Sequence, residues 1–395
     1  MIESALHPMQ DRTAIVGIGQ TRVAKNLEAT EEQLAIEAVL AALDDAGIEA
    51  GEVDALSSFT MENLEEVALA KDLGFGNLAF FSQIGYGGGG ACGTVAHLAM
   101  AIATGQANVG VAWRSRKRGS GGRPWASGMG GLRIPGAEQV TAATWARPWG
   151  LSRPADEIAM LARRYMHDSG ADREAFAEVA MAARQHANLN PDAVMYERTM
   201  TLDDYFAARW ISEPLCLFDN CLESDGAVAV VITSAERARD CRRKPVLVHA
   251  VSQGLPRQHH HMVNYWCEDP VGAPGRSSAE VLWRQSELRP ENIDVVELYD
   301  AFTPLVLFSL EAYGFCGRNE AADFVKGGTL GPGGRLPFNT AGGGLSEGYI
   351  HGMNLVAEGV RQMRGESTGQ VPDAKACLVT SGDCVPTSAL VLRSA

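Results

Sequence analysis

Residues 339–352 read NTAGGGLSEGYIHG, a glycine-rich run that ends on Tyr349 and His351. Glycine lets a backbone approach another group closely, and a phenol or imidazole at the end of such a run is placed to move a proton. Tyr349 is therefore either a turn aromatic or a hydroxyl held against a substrate. A second cluster, WRSRKRGSGGR at 113–123, gathers Arg114, Arg116, Lys117, Arg118 and Arg123 in an otherwise acidic chain. It reads as a holder of phosphates, as a face for an acidic partner surface, or as a solvated loop. In QHHHM, at 258–262, the neighbours His259, His260 and His261 point to alternate sides of an extended segment. No carboxylate or cysteine follows at ligand spacing, so no metal is expected. The eight cysteines (92, 216, 221, 241, 267, 316, 377 and 384) form no C-x-x-C pair, and most of them read as small buried thiols. His97, on an apolar helix, reads as a core histidine.

Composition narrows the partners. The 395 residues are 46% hydrophobic and 21% charged, with 43 glycines and a net charge of -14. Such a surface repels nucleic acid and anionic membranes. The N-terminal stretch has no apolar core of a leader, and no run reaches the ~18 apolar residues of a membrane span. A cytoplasmic protein is expected. The glycines at 87–90 lack the G-x-x-x-x-G-K-[ST] of a phosphate loop, and no dinucleotide fingerprint follows the first strand.

The elements that must position these residues alternate. TAIVGI (13–18) is a buried-strand pattern. A helix follows, with Thr30 as N-cap, Gln33 three residues on, and Gly47 as its stop. GEVDALSSFT supplies a strand, ACGTVAHLAMAIATG a helix and NVGVAW another strand. The second half repeats this plan: PVLVHAV a strand, SSAEVLWRQSEL a helix, DVVELY a strand, YIHGMNLVAEGVRQM a helix and ACLVTSG a strand. IEAGEVD (48–54) and LRPENID (288–294) echo one another between helix and strand, which favours two similar halves. The expected division is 1–242 and 243–395. Residues of about 114–204, with two amphipathic helices, form an insertion on the first half, and DGAVAVVITS (225–234) returns to the sheet. The class is α/β with βαβαβ order.

Taken together, AIATGQANV, ARRYMHDSG, ANLNP, ESDGAVAVVITS, ELYDAF (297–302) and NTAGGG (339–344) resemble the thiolase superfamily, in its sterol-carrier or lipid-transfer-protein branch. The resemblance spans essentially the whole chain. It implies two repeated βαβαβ halves in a five-layered αβαβα core, a homodimer, and an acyl-CoA ligand met by four loops. Each loop departs from thiolase chemistry. The nucleophilic cysteine position falls on Gly88, with Cys92 one turn along. Tyr299 replaces the Asn of N-E-A-F. Tyr349 stands where the catalytic His follows N-x-x-G-G, and the second cysteine falls near Thr380. Without a thiolate no acyl-enzyme forms.

A pocket built for a thioester can still stabilise an enolate, which is what retro-aldol cleavage needs. A branch of this family with such a tyrosine pair cleaves the side chain of a 17-hydroxy steroid carboxyl-CoA, giving a 17-keto steroid and propionyl-CoA. By that resemblance Tyr349 is the base and Tyr299 the proton donor, or the reverse. Asp300 would orient Tyr299, and His351 would polarise the site or cap a helix. Gly88, Asn339, Gly342, Gly343, Thr380 and Gly382 would line the thioester pocket, thin-backboned for its close approach, with Arg114, Arg118 and Arg123 on CoA. No cofactor is implied beyond the coenzyme A of the substrate. The branch works with a companion protein of OB fold and zinc ribbon, implying an α2β2 assembly. The competing functions are another acyl-CoA aldolase or thiolase, on bile-acid or fatty chains, and a non-catalytic acyl-CoA or lipid-binding subunit.

Overall fold

The computed structural model describes residues 7–85, 87–121, 147–257, 262 and 268–395. Arg123 and His259–His261 lie outside them. Nine strands hydrogen-bond side by side: β1 (Thr13–Gln20), β2 (Ala55–Phe59), β3 (Phe80–Ile84), β4 (Val109–Lys117), β7 (Asp225–Ser234), β8 (Val246–Gly254), β9 (Val295–Glu297), β10 (Ala376–Thr380) and β11 (Thr387–Ser394). A short hairpin of β5 (Trp210–Ser212) and β6 (Leu215–Cys216) stands apart.

The strand order is β3-β2-β4-β7-β1-β8-β11-β10-β9. Read outward from the β1–β8 seam, the two sides repeat. β1 pairs antiparallel with β7, β7 antiparallel with β4, and β4 parallel with β2. β8, β11, β10 and β9 do the same in turn. At the seam three ladder pairs, Thr13 with Val248 through Ile15 with Val246, join β1 to β8.

Helices follow the same repeat. Helix α1 (Glu31–Ala46) packs on β1, β4 and β7, and α7 (Ala273–Arg284) packs on β8 and β11. Helix α3 (Ala91–Ala103) and α9 (Met353–Arg364) instead touch strands of both sides and each other. They form the middle of an αβαβα stack. That position explains their burial: α3 is apolar nearly all round. On α9 the buried Asn354, Glu358, Gln362 and Arg364 each have polar partners, as burial requires.

The echo between 48–54 and 288–294 has a structural cause. Each segment makes one 3-10 turn, Ala50–Glu52 or Pro290–Asn292. Each then presents an aspartate that ties down the start of a parallel neighbour. Asp54 accepts the N–H groups of Asn108 and Val109 at 2.9 and 2.8 Å. Asp294 accepts those of Lys375 and Ala376 at 2.7 and 3.0 Å.

Helix α1 starts and stops as read: Thr30 and Gln33 exchange side-chain and backbone bonds, and Gly47 closes the helix at φ 70°. Two expectations are corrected. β4 runs on to Lys117, so the segment from Arg114 is strand rather than the start of an insertion loop. The helix expected from Tyr349 begins only at Met353, because His351 (φ 51°) and Gly352 (φ 86°) are left-handed and break it. Helices α4 (Pro154–Ser169) and α5 (Arg173–Ala187) lie against α8 (Thr303–Ala312) of the second side. There the Tyr165 ring packs against that of Phe308, tilted by 57° at 5.4 Å, and its hydroxyl donates to Glu311 at 2.8 Å. Among the described residues no helix is long and apolar enough to cross a membrane.

Candidate active site

The site forms where the ends of β4, β9 and β10, the start of α3 and the 339–352 loop meet. β9 ends at Glu297, and the next two residues are clamped individually. Asn339 brackets Leu298, donating from Nδ2 to its carbonyl at 2.8 Å and accepting its N–H at Oδ1 at 2.7 Å. The Thr380 hydroxyl accepts the Tyr299 N–H at 3.1 Å. Asn339 and Thr380 thus act on the backbone that carries Tyr299.

The Tyr299 ring slots between three glycines. A Cβ built on Gly88 would overlap the Tyr299 hydroxyl, and one on Gly352 or Gly382 would lie 3.2 Å from its ring. Gly382 also donates its N–H to the Gly88 carbonyl at 2.8 Å. Gly88 is therefore more than a missing cysteine. The tyrosine occupies the space a side chain would need, so the two features require each other.

Tyr349 donates its backbone N–H to Ser224 Oγ at 3.1 Å. Its hydroxyl hydrogen-bonds directly to that of Tyr299, with ring centroids 6.0 Å apart and edge to face. Both rings are buried. Burial raises the pKa of both phenols above the ordinary value. For Tyr349 the Arg118 and Arg114 charges and the Tyr299 hydrogen bond work against that rise. Tyr299 faces Tyr349 and the thiols of Cys221 and Cys384, which only add to it. The pair is asymmetric: negative charge is better tolerated on Tyr349.

Asp300 sits elsewhere than expected. Its carboxylate accepts the N–H groups of Gly344 and Leu345 at 2.8 and 3.1 Å, so it pins the glycine turn and not the Tyr299 hydroxyl. Burial pushes its pKa up to about 6 against those bonds. The thin backbone of the run is likewise used by the chain's own side chains. A Cβ on Gly342 (φ 109°) would meet Ala187, one on Gly343 (φ 58°) would meet Asp300 and Asn339, and one on Gly344 would meet Asp300 and Tyr349.

The arginines of β4 lie at alternate positions, on one face of the strand. Arg114 is wholly buried, pairs with Glu62 at 3.1 Å and stacks over Phe59. It is not placed at a surface where CoA phosphates would lie. Its Nε and Nη2 lie 3.1 and 2.8 Å from His351 Nδ1, and Arg118 Nη1 lies 3.0 Å from His351 Nε2. Arg118 also stands 5.8 Å from the Tyr349 ring. His351 therefore joins the arginines to Tyr349 and is not a helix cap.

No described cysteine near the site is set up as a nucleophile. Cys92, the second residue of α3, donates to the Val379 carbonyl at 3.5 Å, and burial pushes it up to about 12. Burial pushes Cys221 up to about 12 and Cys384 up as well. Among the described residues no cluster of metal ligands occurs. Glu62, Ser224 and Cys221 were not foreseen. Ser224 precedes a long apolar strand, a position open to suspicion, whereas nothing near Glu62 in sequence marks its partner on β4.

Residues 257–392 match the family model described as thiolase C-terminal domain-like. A 17-hydroxy-3-oxo-4-pregnene-20-carboxyl-CoA lyase of Mycobacterium tuberculosis is 48% identical over 97% of this chain and 100% of its own. The chain belongs to the thiolase superfamily. Within that superfamily, a steroid side-chain-cleaving aldolase of Thermomonospora curvata is 49% identical over 96% of this chain and 97% of its own. The solved Ltp2-ChsH2(DUF35) aldolase superposes with a TM-score of 0.93 at 48% identity, covering 98% of both chains. Human mitochondrial 3-ketoacyl-CoA thiolase in complex with CoA, 14% identical, covers 99% of this chain and 100% of its own at a TM-score of 0.67, which shows the shared thiolase fold.

Proposed function

We propose that this thiolase-fold chain is a carbon–carbon lyase that cleaves the side chain of a 17-hydroxy steroid carboxyl-CoA by a retro-aldol reaction. The products are a 17-keto steroid and propionyl-CoA. The observation that carries the reading is the hydrogen-bonded Tyr299–Tyr349 pair, seated in the space left by Gly88. Relatives at 48–49% identity over nearly the full chain, named as steroid aldolase and lyase, support the substrate class.

Tyr349 takes the proton of the 17-hydroxyl, the bond from that carbon to the α-carbon breaks, and its electron pair passes into the thioester enolate. Tyr299 returns a proton to the α-carbon. Because the two hydroxyls touch, Tyr349 hands its own proton to Tyr299 as it takes that of the 17-hydroxyl, so both phenols end protonated with no net proton change. Coenzyme A enters only as part of the substrate. The catalytic halves are 1–242 and 243–395, and the chain works in the cytoplasm. Mass spectrometry of an incubation with steroid acyl-CoA and a DUF35-type partner tests this. Ketone and propionyl-CoA in equal amounts are expected; a condensation product or no turnover contradicts it.

The assembly is an α2β2 complex of a homodimer with two companion OB-fold, zinc-ribbon chains. The Ltp2-ChsH2(DUF35) match supports a DUF35 partner. For the homodimer the support is β3, which among the described residues ends the sheet with its outer edge unpaired and Phe81 70% exposed. Such an edge invites pairing with a second copy. Phe81→Lys, which puts like charges across the two-fold, should shift the dimer to monomer in light scattering after gel filtration. An unchanged dimer mass would place the interface elsewhere.

A further inference from the structure

Two successive side-chain clasps join the end of β9 to the start of the 339–352 loop. Asn339 takes both backbone groups of Leu298. Glu297 takes Thr340: its Oε1 lies 2.9 Å from Thr340 Oγ1 and accepts the Thr340 N–H at 3.2 Å. Tyr299 follows directly on this doubly held stretch. Helix α9 closes the second clasp from its other side. Glu358 Oε1 lies 2.7 Å from Thr340 Oγ1, and Gln362 Nε2 donates to that oxygen at 2.8 Å. The Gln362 Oε1 accepts the Val371 N–H at 3.0 Å, so the nitrogen is the end that faces Thr340.

Counting hydrogens decides the state of the two carboxyl groups. A threonine hydroxyl has one hydrogen and two lone pairs. Gln362 uses one lone pair, so one hydrogen and one lone pair remain to meet two carboxyl oxygens. Were both groups ionised, one of them would meet Thr340 Oγ1 lone pair to lone pair. One must therefore be the acid and donate. Glu358 has the surroundings of the anion: Ser367 donates its hydroxyl to Oε1, and Arg361 Nη1 reaches Oε2 at 3.3 Å. Glu297 is wholly buried, and its Oε2 has no hydrogen-bond partner. An unpaired oxygen costs less on a neutral acid than on a carboxylate. Burial first, then the charge of Glu358, holds the Glu297 pKa well above its ordinary value. Glu347 of the glycine loop adds to that rise, Cys377 of β10 brings no positive charge, and Arg361 directs its own to Glu358.

We propose that Glu297 is a positioning residue that works as a neutral carboxylic acid, its Oε1–H donating to Thr340 Oγ1 and so fixing the loop start against the backbone that carries Tyr299. Thr340 then donates to Glu358, and the hydrogen and both lone pairs of its hydroxyl are used. Ionising Glu297 would set two carboxylates against one hydroxyl and remove the donor from the clasp. The clasp next to it is Asn339 on Leu298, so the slack reaches Tyr299 through one intervening residue. Glu297 touches neither tyrosine hydroxyl and acts only through the backbone it holds.

The role in turnover rests on the retro-aldol reading of the site, whereas the protonation state is read without substrate. Infrared difference spectra of the full chain at neutral pH, wild type minus Glu297→Gln, should show a carboxylic-acid carbonyl band. Carboxylate bands in its place overturn the proposal whether or not the enzyme cleaves steroid. Stability gives a second reading. The folded chain keeps a proton that the unfolded chain gives up near pH 4.5, so wild-type stability falls as pH rises from there toward the raised folded pKa. Glu297→Gln has no such proton. Its folded-to-unfolded ratio relative to wild type should therefore rise with pH in that window, by about tenfold per pH unit. A difference that stays constant with pH overturns the proposal. In the partner complex, Glu297→Leu should lower kcat roughly 10–100-fold with KM little changed, because Tyr299 shifts. Glu297→Gln, whose amide N–H can donate to Thr340, should recover most of that loss. Equal losses in the two variants, or no loss in Glu297→Leu, overturn the positioning role. Failure of wild-type cleavage would fail the reaction, while the infrared band still decides the acid.

Discussion

Tyr349→Phe should abolish most turnover and leave the fold in place. The change deletes one oxygen and keeps the ring, with its edge-to-face contacts to Tyr299 at 6.0 Å and His351 at 5.2 Å. Stability should fall by about 1–3 kcal/mol, because the buried Tyr299 hydroxyl loses its partner. The kinetic loss should be far larger, about 10²–10⁴-fold in kcat, the usual worth of a positioned acid–base group. Tyr299→Phe should fall in the same range. The double variant should be little worse than either single, since the proposed relay runs through both hydroxyls. Steady-state kinetics on the four proteins, each with partner, check this. Wild-type kcat in Tyr349→Phe would remove Tyr349 from the reaction.

The second large effect concerns a residue with no side chain. Gly88→Ala adds one methyl group where the Tyr299 hydroxyl already stands. The backbone at Gly88 cannot easily retreat, because its carbonyl accepts the Gly382 N–H at 2.8 Å, so Tyr299 must tilt away. Overpacking of this kind costs about 1–3 kcal/mol. A displacement on the order of 1 Å at a reacting group costs about 10²-fold in rate. Gly88→Ala should therefore lose activity about as severely as Tyr299→Phe while still folding, as thermal melting would report. Gly88→Cys should lose it too, without gaining an acyl-cysteine, because the thiol and the tyrosine compete for one space. Full turnover in Gly88→Ala would mean that Tyr299 does not need its present position.

This exclusion of one side chain by another was half legible in the sequence. Alignment of loops put Gly88 at the old nucleophile and Tyr299 at the old asparagine, but nothing in the spacing joined the two. Their contact needs β9, β10 and the start of α3 folded together. Local signals did better. Thr30, Gln33 and Gly47 delimit α1 because capping acts within a few residues. The echo at 48–54 and 288–294 survived because Asp54 and Asp294 must tie equivalent strand starts.

Long-range polar pairing was the part hidden from sequence. Asp300 stands next to Tyr299 in the chain, which suggested that it served the phenol, yet its lone pairs go to Gly344 and Leu345. The period-2 spacing of Arg114, Arg116 and Arg118 was a strand signal, masked by the glycines that follow. Recognising that pattern would have moved Arg114 from a CoA-facing loop to the buried interior. The glycines of 342–344 were read as room for a thioester, and much of that room belongs to Ala187, Asp300, Asn339 and Tyr349.

The central claim is that a proton moves through the tyrosine pair onto the α-carbon as the bond breaks. The direct measurement is single-turnover cleavage of the 17-hydroxy steroid carboxyl-CoA in D2O, with partner present and product mass spectrometry. Propionyl-CoA carrying one deuterium at the α-carbon, formed together with an equal amount of 17-keto steroid and with no acyl group on any cysteine peptide, is the predicted result. Acyl-cysteine, or ketone released without deuterated propionyl-CoA, would contradict it.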